Sequence, residues 1–265
     1  VIYKKLSLTT AAFAMTFGMY ASVASATPIL IVNGANTTSE TGTTSAITQN
    51  LKTLHEAAGG VVTILNDLPA AIGSYKQVWD LRFSNVALSA ADQTNYAGYL
   101  QAGGGLFLMG ENSSFMNRNN SILSFINNVG GGALSFSPCS FSTQKVHAPF
   151  TDPNSVTQVN YAAPGCLNGS GTGAWITSDN AGSQGTGVAF GVGSLANAQR
   201  GALTSIFDVN FMMNMNDLPN SQQLTKNLIR YIDDQVTPVV SAPATAMLLV
   251  FGVAGLVARR RKNAS

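Results

Sequence analysis

The chain predicts an α/β fold built on a three-layer parallel sheet, and three observations carry that expectation. Residues 106–109 (LFLM) form an apolar run bounded by Gly103, Gly104 and Gly105 on one side and Gly110 on the other, as a strand buried on both faces requires. Short apolar runs alternate with stretches whose apolar residues recur at helical spacing, which is the grammar of βαβ units with right-handed crossovers. The central run ends in a polar turn, Gly110-Glu111-Asn112-Ser113, and ligands bind at the carboxyl ends of strands in open sheets of this kind.

In chain order, Lys4 and Lys5 precede a largely apolar stretch over 6–23, and Ala24-Ser25-Ala26 supplies the small residues that a signal peptidase reads. This predicts a secretory signal peptide over 1–26. A first strand follows at 29–32 and turns at Asn33-Gly34-Ala35-Asn36. Ala46, Ile47, Leu51, Leu54 and Ala58 lie on one helical stripe, stopped by Gly59-Gly60. Strands are expected at 61–65 and 77–81, and Ser89 is placed to N-cap the helix that leads into the central strand. A further helix over 119–128 carries Ile122, Phe125 and Ile126 on one side.

The grammar changes over 130–200. Four prolines, many glycines, both cysteines and short apolar pieces around Trp175 and Phe190 predict an irregular insertion with a few short strands, pinned by a disulfide. Cys139 and Cys166 are an even pair, and in an oxidising compartment their simplest fate is one bond to each other. Regular structure returns at 202–207, continues through Asp208 and Asn210, and closes with a helix over 222–233 whose Leu224, Leu228, Ile229 and Ile232 face inward. The expected organisation is a signal segment at 1–26, one domain at 27–236, and a linker and tail at 237–265.

The tail is patterned. An apolar stretch over 246–258, marginal in length for crossing a bilayer, stops at Arg259-Arg260-Arg261-Lys262, a cluster that would hold the end on the cytoplasmic side. With Ser241-Ala242-Pro243 before it, this resembles the PEP-CTERM sorting tail of Gram-negative bacteria, in variant form because the first Pro and the Glu of that motif are missing. The resemblance implies an exosortase-type processing protease as partner, transient inner-membrane anchoring through a C-terminal hydrophobic helix, and delivery to the cell surface or an exopolysaccharide matrix. Six of the 14 basic residues lie in the two ends, leaving eight against 12 acidic ones. A mildly acidic domain of this kind argues against nucleic acid as a partner.

A second resemblance rests on the GGG-strand-Gly-Glu-Asn pattern and on the late strand ending in Phe207-Asp208-Val209-Asn210-Phe211 before the last helix. These look like the class I glutamine amidotransferase-like fold, a flavodoxin-like three-layer sheet, in its non-catalytic branch. Catalytic members place a Cys nucleophile in the elbow after the central strand. Here Glu111 and Asn112 stand there, and neither His55 nor His147 follows a late strand, so the resemblance implies that amidotransferase activity is absent.

The candidate site residues at the carboxyl edge are Asn33, Asn36, Asp80, Arg82, Glu111, Asn112, Asp208 and Asn210. Carboxylates and amides on one rim could bind a hard cation or sugar hydroxyls, and Glu111 with Asp80 or Asp208 could serve as acid and base in glycoside hydrolysis. Equally, Asp80 and Arg82 could be a structural ion pair, and the Asp and Asn residues could shape turns. His147, near Pro149 and Asp152, could be a base or ligand or simply incidental, and Trp79 and Trp175 could stack on sugars or belong to the core. No Walker loop, GxGxxG, CxxC, HExxH or GxSxG motif occurs, and no cofactor or resident metal is expected.

Overall fold

The structure is a computed structural model and describes residues 26–35 and 39–236. The predicted signal peptide, Asn36, the linker, Ser241, Ala242, Pro243 and the arginine cluster at 259–261 lie outside the described residues. The first half of the chain forms β1 (Thr27–Val32), α1 (Ala46–Ala57), β2 (Gly60–Leu65), β3 (Gln77–Asp80), α2 (Ala90–Gln101), β4 (Gly105–Gly110) and α3 (Met116–Asn128). Seven short strands follow: β5 (Ser135–Pro138), β6 (Thr143–Val146), β7 (Gln158–Asn160), β8 (Gly165–Asn168), β9 (Ala174–Ser178), β10 (Gln184–Gly185) and β11 (Gly187–Phe190). The chain then returns to β12 (Ala202–Phe207) and α4 (Leu218–Gln235).

Local chemistry explains the boundaries. The Ser45 and Ser89 hydroxyls accept from the amides of Thr48 and Asp92, so each caps its helix. Gly103, with φ at +97°, takes the left-handed turn that ends α2. Gly105 must be bare because a Cβ there would collide with Ile232 of α4. The last helix starts four residues before the expected 222, because Pro219 is tolerated in a first turn, where no amide partner is needed.

The main sheet has nine strands in the order β2-β1-β3-β4-β12-β11-β9-β6-β7. From β2 to β12 all pairings are parallel, whereas β11, β9, β6 and β7 add antiparallel. This corrects the expectation of an all-parallel sheet: the short strands expected around Trp175 and Phe190 form as β9 and β11, but they join the main sheet antiparallel instead of standing in a separate insertion. Residues 130–200 supply four strands that widen the main sheet, and β10-β8-β5 make a small second one. The pieces are two to five residues long and punctuated by glycine, too short for alternation to declare itself in sequence, yet β11 is buried along its whole length. The Cys139–Cys166 disulfide forms, joining the residue after β5 to β8.

Alternation along the parallel strands sorts the core into two faces. Ile29, Ile31, Trp79, Phe107 and Met109 pack with Leu51 of α1 and Leu224, Leu228 and Ile232 of α4. Leu30, Val32, Val78, Leu106 and Leu108 pack with Tyr96 and Leu100 of α2 and Ile122 and Ile126 of α3. Helices therefore cover both faces of the parallel half, and the molecule is a mixed α/β sandwich. Among the described residues no helix is long and apolar enough to cross a membrane.

Candidate functional site

Asp80 ends β3 and is fully buried. Arg82 grips it with two prongs, Nε donating to Oδ1 at 2.9 Å and Nη2 to Oδ2 at 2.8 Å. Tyr96 donates its hydroxyl to Oδ2 at 2.9 Å, and the Nη2 of Arg118 lies 2.9 Å from the same oxygen as an ion pair. The outer prong of Arg82 reaches Asp92 at 3.0 Å. Burial alone would raise the Asp80 pKa; the charges of Arg118 and Arg82 and their hydrogen bonds outweigh it and hold the carboxyl well below the usual range. Gly34, with φ at +72°, lies beneath this pair, where a Cβ would come within 2.7 Å of Arg82 Cγ. Both oxygens of Asp80 are therefore engaged by the protein itself, Oδ1 also by the Arg82 amide at 3.1 Å.

Glu111 follows β4 and is also buried. Its Oε1 accepts the Val209 amide at 2.7 Å and its Oε2 the Asn112 amide at 3.2 Å. Asn119, from α3, clamps the Glu111 backbone on both sides: Oδ1 accepts its amide at 2.9 Å and Nδ2 donates to its carbonyl at 2.7 Å. Asp208, just past β12, accepts the amides of Ala162 and Ala163 at 2.8 and 3.0 Å and that of Asn210 at 2.9 Å. Asn210 in turn donates to Glu40 at 2.7 Å. Burial pushes the Glu111 carboxyl up to about 7 against the pull of its amide donors, and the charges of Asp208 and Glu40 push the same way. For Asp208, burial likewise raises the pKa, to about 6.

The expected single rim is in fact two separate networks, and strand register gives the reason. Asp80 pairs with Leu108, whereas Phe207 pairs with Gly110. Glu111 and Asp208 therefore stand level with each other, and Asp80 sits three residues lower, roughly 10 Å along the strand. An odd offset also reverses the face. Asp80 turns to the α2 and α3 side, where Tyr96 and Arg118 meet it, while Glu111 meets the turn after β12.

Asn33 belongs to neither network. Its Nδ2 donates to the Thr43 hydroxyl at 3.0 Å, its carbonyl accepts from Thr41 at 2.7 Å, and its Oδ1 shapes the turn through the Ala35 amide. Asn112 caps the turn before α3 by accepting the Ser114 amide at 3.0 Å. His147 and Asp152 are not brought together: the His147 Nε2 bonds the Ser178 hydroxyl at 2.7 Å, and Asp152 accepts from Thr151. Ser178 is fully buried and also donates to the Asp179 carbonyl. Trp79 is core, stacked 4.4 Å from Phe107, and the Trp175 indole donates to the Gly182 carbonyl at 2.9 Å. Among the described residues no three His, Cys, Asp or Glu side chains gather closely enough to hold a metal ion.

Sequence reasoning missed Arg118, Tyr96, Asn119 and Glu40. A signal for Arg118 was available, because it precedes Ile122 and Ile126 by one and two helical turns and therefore shares their inward stripe.

No protein-family model matches the chain, and no curated protein matches it. Solved structures do. The mmIFT52 N-terminal domain aligns with a TM-score of 0.56 at 12% identity, covering 80% of this chain and 99% of that one. The exo-beta-1,4-mannosidase Op5Man5 from Opitutaceae bacterium strain TAV5 aligns at 0.50 and 14% identity, covering 80% of this chain but only 36% of its own. A putative ThuA-like protein from Bacteroides uniformis ATCC 8492 aligns at 0.49 and 13% identity over 83% of this chain and 97% of that one. At such identities the likeness concerns the fold alone; it takes in nearly all of the mmIFT52 domain and little more than a third of the mannosidase.

Proposed function

We propose that this chain is an exported, surface-sorted protein whose domain, amidotransferase-like in fold, binds a component of the cell envelope or exopolysaccharide matrix and performs no chemistry. One observation carries the non-catalytic half of this reading. The three buried carboxylates at the carboxyl edge, Asp80, Glu111 and Asp208, are each already engaged by the protein's own amides, guanidinium groups or hydroxyls. A catalytic acid or base must stand within reach of a substrate, and these three side chains are buried against protein donors. The position of the missing nucleophile is taken by Glu111, which ties the end of β4 to Val209, and both cysteines are in a disulfide. That disulfide also supports an oxidising compartment, and the tail pattern supports processing by an exosortase-type protease.

The test is turnover. The purified protein, incubated with glutamine and with a panel of bacterial exopolysaccharides, is expected to release neither ammonia nor new reducing ends. Release that disappears in a folded Glu111→Gln variant would mean the domain is a hydrolase.

A further inference from the structure

The two sheets have four outer strands, β2 and β7 on the main sheet and β5 and β10 on the small one. An outer strand presents unpaired amides and carbonyls to any further strand, and folded chains shield them by shortness, proline or covering groups. Three of the four are shielded in this way. β10 is two residues long, and β5 ends in Pro138. β7 is three residues long, and the outward amide and carbonyl of Asn160 are taken by Asp217 Oδ2 at 2.6 Å and by the Asn214 side-chain amide.

β2 is the exception. It runs for six residues, GVVTIL, with no proline, no charge and an unbroken register to β1. The Thr27 and Asn33 amides donate to the Gly59 and Leu65 carbonyls, so the odd-numbered residues of β2 face β1. Gly60, Val62 and Ile64 therefore point their amides and carbonyls outward, and among the described residues nothing takes them up. No residue of β2 is buried, and Val61 is 59% exposed.

This pattern is complementary to itself. Around a two-fold axis through Val62, an antiparallel copy sets Val62 against Val62 and Gly60 against Ile64, and each such pair exchanges two hydrogen bonds. Val62 and Ile64 lie on the α1 and α4 side, so Val61 meets Thr63 of the copy on the opposite side, a contact between β-branched residues of the kind that stabilises paired strands. A two-fold axis also brings each group near it close to its own copy, where a charge would repel itself. β2 carries none. The nearest charges along the chain are Glu56, which is paired with Lys52 at 2.6 Å, and Asp67, which lies past the paired stretch.

We propose that β2 is a homodimer interface, at which a second copy of this chain extends the main sheet antiparallel about a two-fold axis at Val62. The inference concerns assembly and holds or fails independently of what the domain binds.

The experiment is sedimentation equilibrium of the protein as recovered from its native host, over a range of concentrations. A monomer–dimer equilibrium with a dissociation constant on the order of 10–100 μM is expected, since one strand pair makes a small interface. Val61→Lys with Thr63→Lys sets lysine opposite lysine and should weaken the dimer about tenfold. Val61→Lys with Thr63→Glu sets each lysine opposite a glutamate of the copy and should restore it. Equal thermal midpoints for the two double variants would show that the difference lies in pairing and not in folding. A monomer at every concentration, or a dimer indifferent to both double variants, would overturn the proposal. A monomer that pairs only after residues 237–265 are removed would give β2 to the tail, and would overturn it as well.

Discussion

At the scale of single residues, the Asp80 network is where one atom matters most. Arg118 is 3% exposed and meets one anion, Asp80. Asp80→Asn would leave that guanidinium buried and uncompensated, an effect of about 3–5 kcal/mol, read as a lowered urea midpoint. Adding Arg118→Met should recover part of the loss, because no charge is then stranded; a double variant as unstable as the sum of the two singles would contradict the pairing. Glu111 gives the opposite kind of prediction. Its folded pKa, about 7, lies above its ordinary value of 4.5, so the folded state holds the proton more tightly than the unfolded chain. Stability should rise as pH falls from 8 through 7 toward 4.5, by on the order of 2–3 kcal/mol for this group. Glu111→Gln should flatten that slope, and an unchanged slope would assign it elsewhere. The sequence named Asp80, Arg82, Glu111 and Asp208 by their positions after strands. It could not say that an odd register offset turns Asp80 away from the other two acids, because register is a property of pairs of strands.

At the scale of elements, the five parallel strands and four helices were legible because each obeys a local rule: a buried apolar run, an inward stripe, a serine cap or a glycine stop. Residues 130–200 obey no such rule individually. β9 and β11 are strands because they pair with each other and with β6 and β12, and nothing within five residues encodes that choice. The disulfide compensates for the short elements, closing a sequence separation of 27 between the small sheet's β5 and β8. In the chain-entropy account such a loop contributes about 3–4 kcal/mol. Reduction should therefore lower the thermal midpoint by several degrees, with β5 and β8 exchanging amide protons first. Equal midpoints with and without reductant would mean that the small sheet is held by its packing alone.

At the scale of the whole molecule, the two ends of the sheet are built differently. The carboxyl end, where sheets of this class usually bind, is closed by its own side chains: Asp80 by two arginines, Asp208 by the loop at 162–163, and Glu111 by the turn at Val209. The amino end keeps an open cleft beside the buried His55 imidazole. On the proposed reading the protein is a disulfide-held binding body, and its place outside the cell is the claim on which its role depends. The most direct test is the intact mass of the protein recovered from its native host, before and after reduction. Export, tail removal and the disulfide together require a chain starting at Thr27, ending near Ser241, and gaining two hydrogen masses on reduction. A mass that retains the residues before Thr27 and the arginine cluster, unchanged by reductant, would contradict the account.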